Sequence, residues 1–576
     1  MIPSIVVFIY LAIVLYIGVF AFRRSTGSGE DFFVASRSLG QWVFLLSLFG
    51  TNMTAFAILG SSGMSYSRGI GVLGLMASSS AIIIPLTLFF IGTRLWGLGK
   101  KFGHMTQVQY FRDRWQDNML GTLIFLLTAI MLVPYIIIGV MGGGEVMETL
   151  SAYTVDTVQA DDSVVRRVEH FVSYEFGSAL VALVVMGYVF FGGMRGTAWV
   201  NTFQTLLFLV FGAIAVYLVS NKIGGFAGIM EKIAASEKLA PLLSREKIPP
   251  TEFFSYMFIP LSAIMFPHIA IMCMTAEKVT HFKKTVIFYP LCIAAIWVPC
   301  VYLGVVSAQI FPDLKPGETN GVIPMLLANF TEVWVAGILG AGIMACVMAT
   351  DSQIMALTTM FTQDIYAHYF VRRGAAKGIA AEVTLDDRRQ VWTGRIFVIV
   401  IAVISWLVAW SLHKDEGIFE LAIRFAFSGF AALSPIMLAA LFWKRSTAVG
   451  GWLAVMWVAL AMIGFAWMHR ETEALAATLK PGTTAQIFPA LGEMFLRGKG
   501  GVTVYGFLPV VPMTLICAGL MVVGSLLSRP PKAEIIAKYF SPGTKPSDVP
   551  PLAPIGHEKW PGNTELNRSA QRRREE

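Results

Sequence analysis

About thirteen apolar stretches, each long enough to cross a bilayer, follow one another from Ile2 almost to Ser528. They span approximately 2–22, 40–62, 70–98, 118–142, 172–191, 198–220, 254–275, 286–310, 322–366, 391–412, 417–443, 449–468 and 505–528. The chain is 56% hydrophobic and only 14% charged, more apolar surface than a soluble domain of 576 residues buries. The expected fold class is therefore all-α, a polytopic membrane protein of about 13 transmembrane helices over residues 1–528. The stretch from Arg529 to Glu576, with its proline pairs and charged end, reads as a disordered cytoplasmic tail.

Orientation follows from the basic residues. Arg23 and Arg24 come directly after the first span, and no basic region precedes it, so it is not a cleavable signal. Placing these arginines in the cytoplasm puts the N-terminus outside. Alternate loops agree: Lys100, Lys101, Arg112 and Arg114, then Lys283 and Lys284, then Arg372, Arg373 and Lys377, then Lys444 and Arg445, all fall on the same side. The other loops are mixed in sign, as in Asp161, Asp162, Arg166 and Arg167. An odd number of spans leaves the C-terminus inside, and the expected location is the cell (inner) membrane. The net charge of +8 is thereby accounted for by topology and gives no reason to expect nucleic acid as a partner. All five cysteines lie within spans and read as small buried residues.

Several patterns have bland readings. Gly69-Ile-Gly71-Val-Leu-Gly74 fits a dinucleotide-binding pattern, but no strand precedes it and a membrane span follows. Gly142, Gly143 and Gly144 suit a hinge or close helix packing. Glu420 and Arg424, four residues apart, suit an ion pair. No nucleophile–base or metal constellation points to an enzyme, and no cofactor is expected.

Three polar clusters inside spans carry the functional argument, because polar groups are expensive in a membrane. Thr51, Asn52 and Thr54 lie among glycines in the second span. Pro260, Pro267 and His268 lie in the seventh. Thr350, Asp351, Ser352 and Gln353 lie together in the ninth. The second and seventh spans are five apart. Interrupted helices at corresponding places in two five-helix halves, about 40–220 and 254–443, are the sign of an inverted-repeat transporter.

Four stretches then carry a resemblance: Gly60-x-x-Gly63-x-x-Tyr66-x-x-Gly69, GGMRGTAWVNTFQ from Gly192 to Gln204, FTQDIY at 361–366, and LFWKRST at 441–447. In this order and topology the chain resembles the sodium:solute symporters, a family that includes the proline, pantothenate, monocarboxylate and sugar symporters. The similarity covers roughly residues 5–528. It implies the leucine-transporter-type 5+5 inverted repeat, with one helix before the core and two after it. It also implies a sodium site between the second and ninth spans, built from the carbonyls of Gly50, Met53 and Ala345 and from two adjacent hydroxyls. Met348 and Ala349 stand at those two positions. Thr350, the next hydroxyl, can substitute only where the helix is over- or underwound. Asn201 stands where the family usually has aspartate, and Asp351 restores a carboxylate nearby.

The expected function is secondary active transport, with a monovalent cation, sodium by the resemblance, as co-substrate. The small organic solute is expected to meet Asn52, Thr54, Phe56, Phe266 and His268. The FPHIAIMCMTAEK segment resembles that of pantothenate symporters and favours an organic acid. The alternatives are a proton-coupled or uncoupled carrier working through His268 or Asp351, and a non-transporting solute sensor on the same scaffold.

Overall fold

The computed structural model describes residues 2–158, 164–315, 317–371, 387–412, 418, 422–480 and 483–540. Among the described residues ten helices are long and apolar enough to cross a membrane, and twelve spans result if each of two bent helix pairs counts as one and Tyr174–Lys222 is taken as a single helix. The helices used below are α1 (Ile2–Arg23), α2 (Gln41–Asn52), α3 (Phe56–Arg68), α4 (Gly71–Phe102), α5 (Gln107–Trp115), α6 (Asn118–Leu150) and α7 (Tyr174–Lys222). They continue with α8 (Pro250–Met265), α9 (Pro267–Met274), α10 (His281–Ile310), α11 (Val333–Phe370), α12 (Asp387–Leu412), α13 (Ala422–Phe442), α14 (Ala448–Glu471), α15 (Val510–Leu527) and α16 (Ala533–Phe540).

The 49-residue α7 is two membrane segments rather than one rod. Gly193 leaves the helix at φ 53°, ψ −149°. Tyr188 and Asn201 would lie about 20 Å apart on a straight helix, yet both bond Asp351. The chain therefore folds back at Gly193, as the separate spans 172–191 and 198–220 anticipate. Only glycine fits this corner, since a Cβ on Gly193 would come within 2.7 Å of Phe32 O.

Two expectations are corrected. The stretch 322–366 is not one span: helix Val322–Phe330 ends at Thr331, and Thr331 and Glu332 are both extended before α11 begins. The stretch expected to be tail from Arg529 is helical over α16. There Ile535 and Tyr539 are buried, and Lys538 Nζ lies 2.5 Å from Asp113 Oδ2. Burial alone would raise the Asp113 carboxyl. Hydrogen bonds from His104 and Lys538 outweigh that and hold it well below the usual carboxylate range. The Glu420–Arg424 pair and the loop residues Asp161, Asp162, Arg372, Arg373 and Lys377 fall wholly or partly outside the described residues.

The glycine triplet settles as packing. Cβ atoms at Gly142, Gly143 and Gly144 would come within 2.8, 2.9 and 2.7 Å of Ala55, Val181 and Tyr174 respectively. α6 runs unbroken through them and lies closely on α7 and on the chain just before α3. Gly69, in the dinucleotide-like pattern, sits in the α3–α4 turn at φ 81°, where its backbone approaches Leu242 O.

Candidate functional site

The two bent pairs are α2–α3, bent by 56°, and α8–α9, bent by 47°. In the second pair the cause is Pro267, which excludes Phe266 from the helical region; Phe266 takes φ −59°, ψ 118° and ends α8. In the first pair Met53 is extended at φ −100°, ψ 101°. The Cys346 thiol of α11 lies 3.2 Å from both Met53 O and Thr54 O, so a cysteine satisfies carbonyls that the break releases.

The breaks meet on an aromatic cluster. The Phe266 ring stacks on Tyr135 with centroids 5.4 Å apart, and lies 4.8 Å from His268, 5.4 Å from Phe427 and 4.9 Å from Phe430. Phe56 joins from the other break, 4.8 Å from Phe427 and 5.9 Å from Trp297. Tyr135 Oη donates toward Asn52 O at 3.4 Å and lies 3.5 Å from the Thr54 hydroxyl, while Asn52 Nδ2 donates to Tyr289 Oη at 2.7 Å. All five residues expected at the solute site thus lie around one centre. His268 is only 1% exposed, and neither of its ring nitrogens has a partner among the described residues. A buried imidazole without a partner is costly. The sequence argument, which followed hydroxyl, amide, proline and ionisable residues within spans, missed Tyr135, Tyr289, Trp297, Phe427 and Phe430.

The second cluster lies between the first break, α7 and α11. Asp351 is fully buried. Its Oδ2 accepts from Tyr188 Oη at 3.0 Å, and its Oδ1 accepts from Asn201 Nδ2 at 3.1 Å and from Ser352 Oγ at 3.0 Å. Asn201 Nδ2 also lies 2.8 Å from Ser352 Oγ, which shares a 2.7 Å hydrogen bond with Thr51 Oγ1. Gln353 Nε2 donates to Thr51 O at 3.2 Å. Asn201 Oδ1 and Gln353 Oε1 are buried acceptors without partners among the described residues.

The remaining residues expected to ligate the cation are not all gathered here. Gly50 packs on α7, where a Cβ would come within 2.3 Å of Thr205 Oγ1, and its carbonyl accepts from Met53 N at 3.1 Å. Met53 O is shared with Cys346. Ala345 is buried in α11, six residues before Asp351. The helix is indeed overwound at Met348–Thr350, a single 3₁₀ turn. Even so, Thr350 turns toward α6, where its hydroxyl occupies the space a Cβ on Gly139 would need while bonding Val347 O of its own helix at 3.3 Å. Thr350 and Asp351 therefore face different neighbours.

Paired broken helices around a buried aromatic centre, with one buried carboxylate beside it, define a secondary carrier of the inverted-repeat class. The profile of the sodium:solute symporter family matches residues 32–158 and 168–458, and the chain belongs to that family. Among curated relatives, the sodium/proline symporter of Staphylococcus aureus (strain USA300 / TCH1516) is 26% identical over 478 residues, covering 79% of this chain and 85% of that protein. The sodium/proline symporter of S. aureus strain JH9 is 25% identical over the same length. Among solved structures, a substrate-bound, outward-open Na+-coupled sialic acid symporter superposes with a TM-score of 0.68 at 16% identity, covering 92% of this chain and 99% of the other. A nucleobase-cation-symport-1 family transporter, closed with bromovinylhydantoin bound, gives 0.53 at 12% identity, covering 88% and 97%. The fold is the leucine-transporter-type inverted repeat, and the protein is a multi-pass membrane transporter of the sodium-coupled solute symport class.

Proposed function

We propose that symport in this chain runs through two adjoining sites, a solute site at the meeting of the helix breaks and a sodium site around Asp351. His268 carries the solute assignment. It is buried, neither of its ring nitrogens has a partner among the described residues, and it sits against the rings of Phe266 and Tyr135. A solute with an apolar body and a hydrogen-bonding group would satisfy the imidazole while the rings cover its apolar part. Asn52, Thr54 and Phe56 supply the wall from the first break. The organic-acid preference rests on the FPHIAIMCMTAEK resemblance.

The sodium site differs from the set that the resemblance implies. Asp351 supplies the charge. Ser352, Thr51 and the unpartnered oxygens of Asn201 and Gln353 are the hard oxygen donors that such a cation takes. Gly50, Met53 and Ala345 contribute main-chain oxygens only if the first break opens further, and Thr350 serves the α6 contact. Ser352 and Asn201 tie α11 to the first break and α7, so cation binding would bias the arrangement of the break and with it the affinity for solute. The basic loops support an orientation with the N-terminus outside and the C-terminus inside the cell membrane.

The test is uptake into proteoliposomes from a panel of carboxylates, amino acids and uncharged heterocycles, with sodium and proton gradients imposed separately. A solute accumulated on the sodium gradient alone supports this assignment. Accumulation driven only by protons would replace it with the proton-coupled alternative.

A further inference from the structure

Three polar side chains at α5 and its cap join α8 to α11. At the first residue of α5, Gln107 Nε2 donates to Met265 O at 2.9 Å. Met265 is the last residue of α8, next to Phe266, and its carbonyl belongs to the last turn, where no helical donor is guaranteed. From the cap position, Thr106 Oγ1 donates to Asp364 Oδ2 at 2.8 Å, and Arg112 Nη1 reaches the Asp364 carbonyl at 2.9 Å and its Oδ1 at 3.3 Å. Gln107, Thr106 and Asp364 are fully buried. One short helix thus joins the break that carries Phe266 and His268 to α11, which carries Asp351.

We propose that Gln107 is a positioning residue for transport. It latches the α8–α9 break to α11 at the end of the molecule where the α4–α6 connection lies, and the latch releases when the solute site opens toward that end. The inference rests on the reading that the break at Phe266 lines the solute site. The joint that yields is identified by strength. The Arg112–Asp364 pair is buried and charged, and breaking it would leave an uncompensated charge. Gln107 to Met265 is a single neutral hydrogen bond. Gln107 Oε1 is buried without a partner among the described residues, so the amide keeps an unused acceptor in this arrangement.

The test is hydrogen–deuterium exchange on the full chain in lipid nanodiscs in sodium chloride. Gln107→Leu should speed exchange across 262–274 by about fivefold, the equivalent of losing one such bond, with 510–527 unchanged. Thr106→Val removes the bond to Asp364 on α11 and with it the cap on Gln109 N, both of which Thr106→Ser keeps, and leaves the Gln107 bond to Met265 in place. It should nevertheless speed exchange at 262–274 to a similar degree, and Thr106→Ser should restore the wild-type rate. The double variant should add little to either single change. Should Gln107→Leu fail to fold, Gln107→Asn keeps the amide but shortens its reach, and should act in the same direction. Unchanged exchange at 262–274 in the Gln107 variants, or a Thr106→Val effect confined to 103–116, would overturn the latch. The exchange readout needs no uptake, so the assignment of the solute site can fail in transport assays while the latch stands, and the reverse.

Discussion

The two clusters at the helix breaks answer the cost of burying polar groups in opposite ways. Around Asp351 the carboxylate is supported on both oxygens, by Tyr188 on one and by Asn201 and Ser352 on the other. Around His268 the imidazole is enclosed by rings and bonded to nothing among the described residues. A charge must be held in every state of the cycle, so its site is built of fixed dipoles. A neutral ring can wait unsatisfied at a cost of about 1–3 kcal/mol, which binding a solute then recovers. The proposed assignment of the cation to the Asp351 cluster and of the solute to the His268 cluster rests on this contrast.

Several measurements break or sharpen that contrast, the largest effect first. Asp351→Asn should raise the sodium concentration for half-maximal uptake by about a hundredfold or abolish sodium dependence, since it removes the carboxylate around which the cluster is built. Solute affinity at saturating sodium should change far less. Exchanging the two partners, Asn201→Asp with Asp351→Asn, returns a carboxylate to the same interface across a 3.1 Å contact and should recover much of the lost sodium response. No recovery would mean that the position of the charge, and not only its presence, matters. His268→Gln should weaken solute affinity by about tenfold, corresponding to one buried hydrogen bond, with the sodium activation curve unmoved. A displaced sodium curve would merge the two sites. Thr350→Val should shift sodium activation by less than about twofold, because the hydroxyl faces Gly139 and Val347 O. A tenfold loss there would return Thr350 to the cation site. Separately, cysteine labelling at Asp162 and Lys377 should report opposite sides of the membrane, and labelling from one side would contradict the proposed orientation.

Much of the fold could be read from the sequence because bilayer thickness and helix rise constrain it directly. Pro267 marked the second break for a local reason: it bars the residue before it from helical geometry. The first break was signalled by glycine and hydroxyl residues around Asn52. The extra kink at Thr331–Glu332 carried no such mark, since neither residue is a breaker and the apolar run continues on both sides. The short α16 lay beyond the hydropathy signal. It is held by particular partners such as Asp113, more than four hundred residues earlier in the chain. The site was legible as a set of residues but not as a set of directions. One residue along a helix turns the side chain by about 100°, which points Thr350 of α11 at α6 and its neighbour Asp351 at α7. The same limit hid Tyr135 and Tyr188, whose roles exist only once distant helices pack. Part of the basic inner-loop signal also has a structural use, since Arg114 donates to the carbonyls of Ala440, Trp443 and Lys444.

The most direct test of the two-site assignment is equilibrium binding of radioactive sodium to the purified protein without solute, comparing wild type, Asp351→Asn and His268→Gln. The expected result is saturable sodium binding in wild type and in His268→Gln alike, and its loss in Asp351→Asn with the protein still folded. Wild-type sodium binding in Asp351→Asn, or loss of binding in His268→Gln, would contradict the separation of cation and solute between the two clusters.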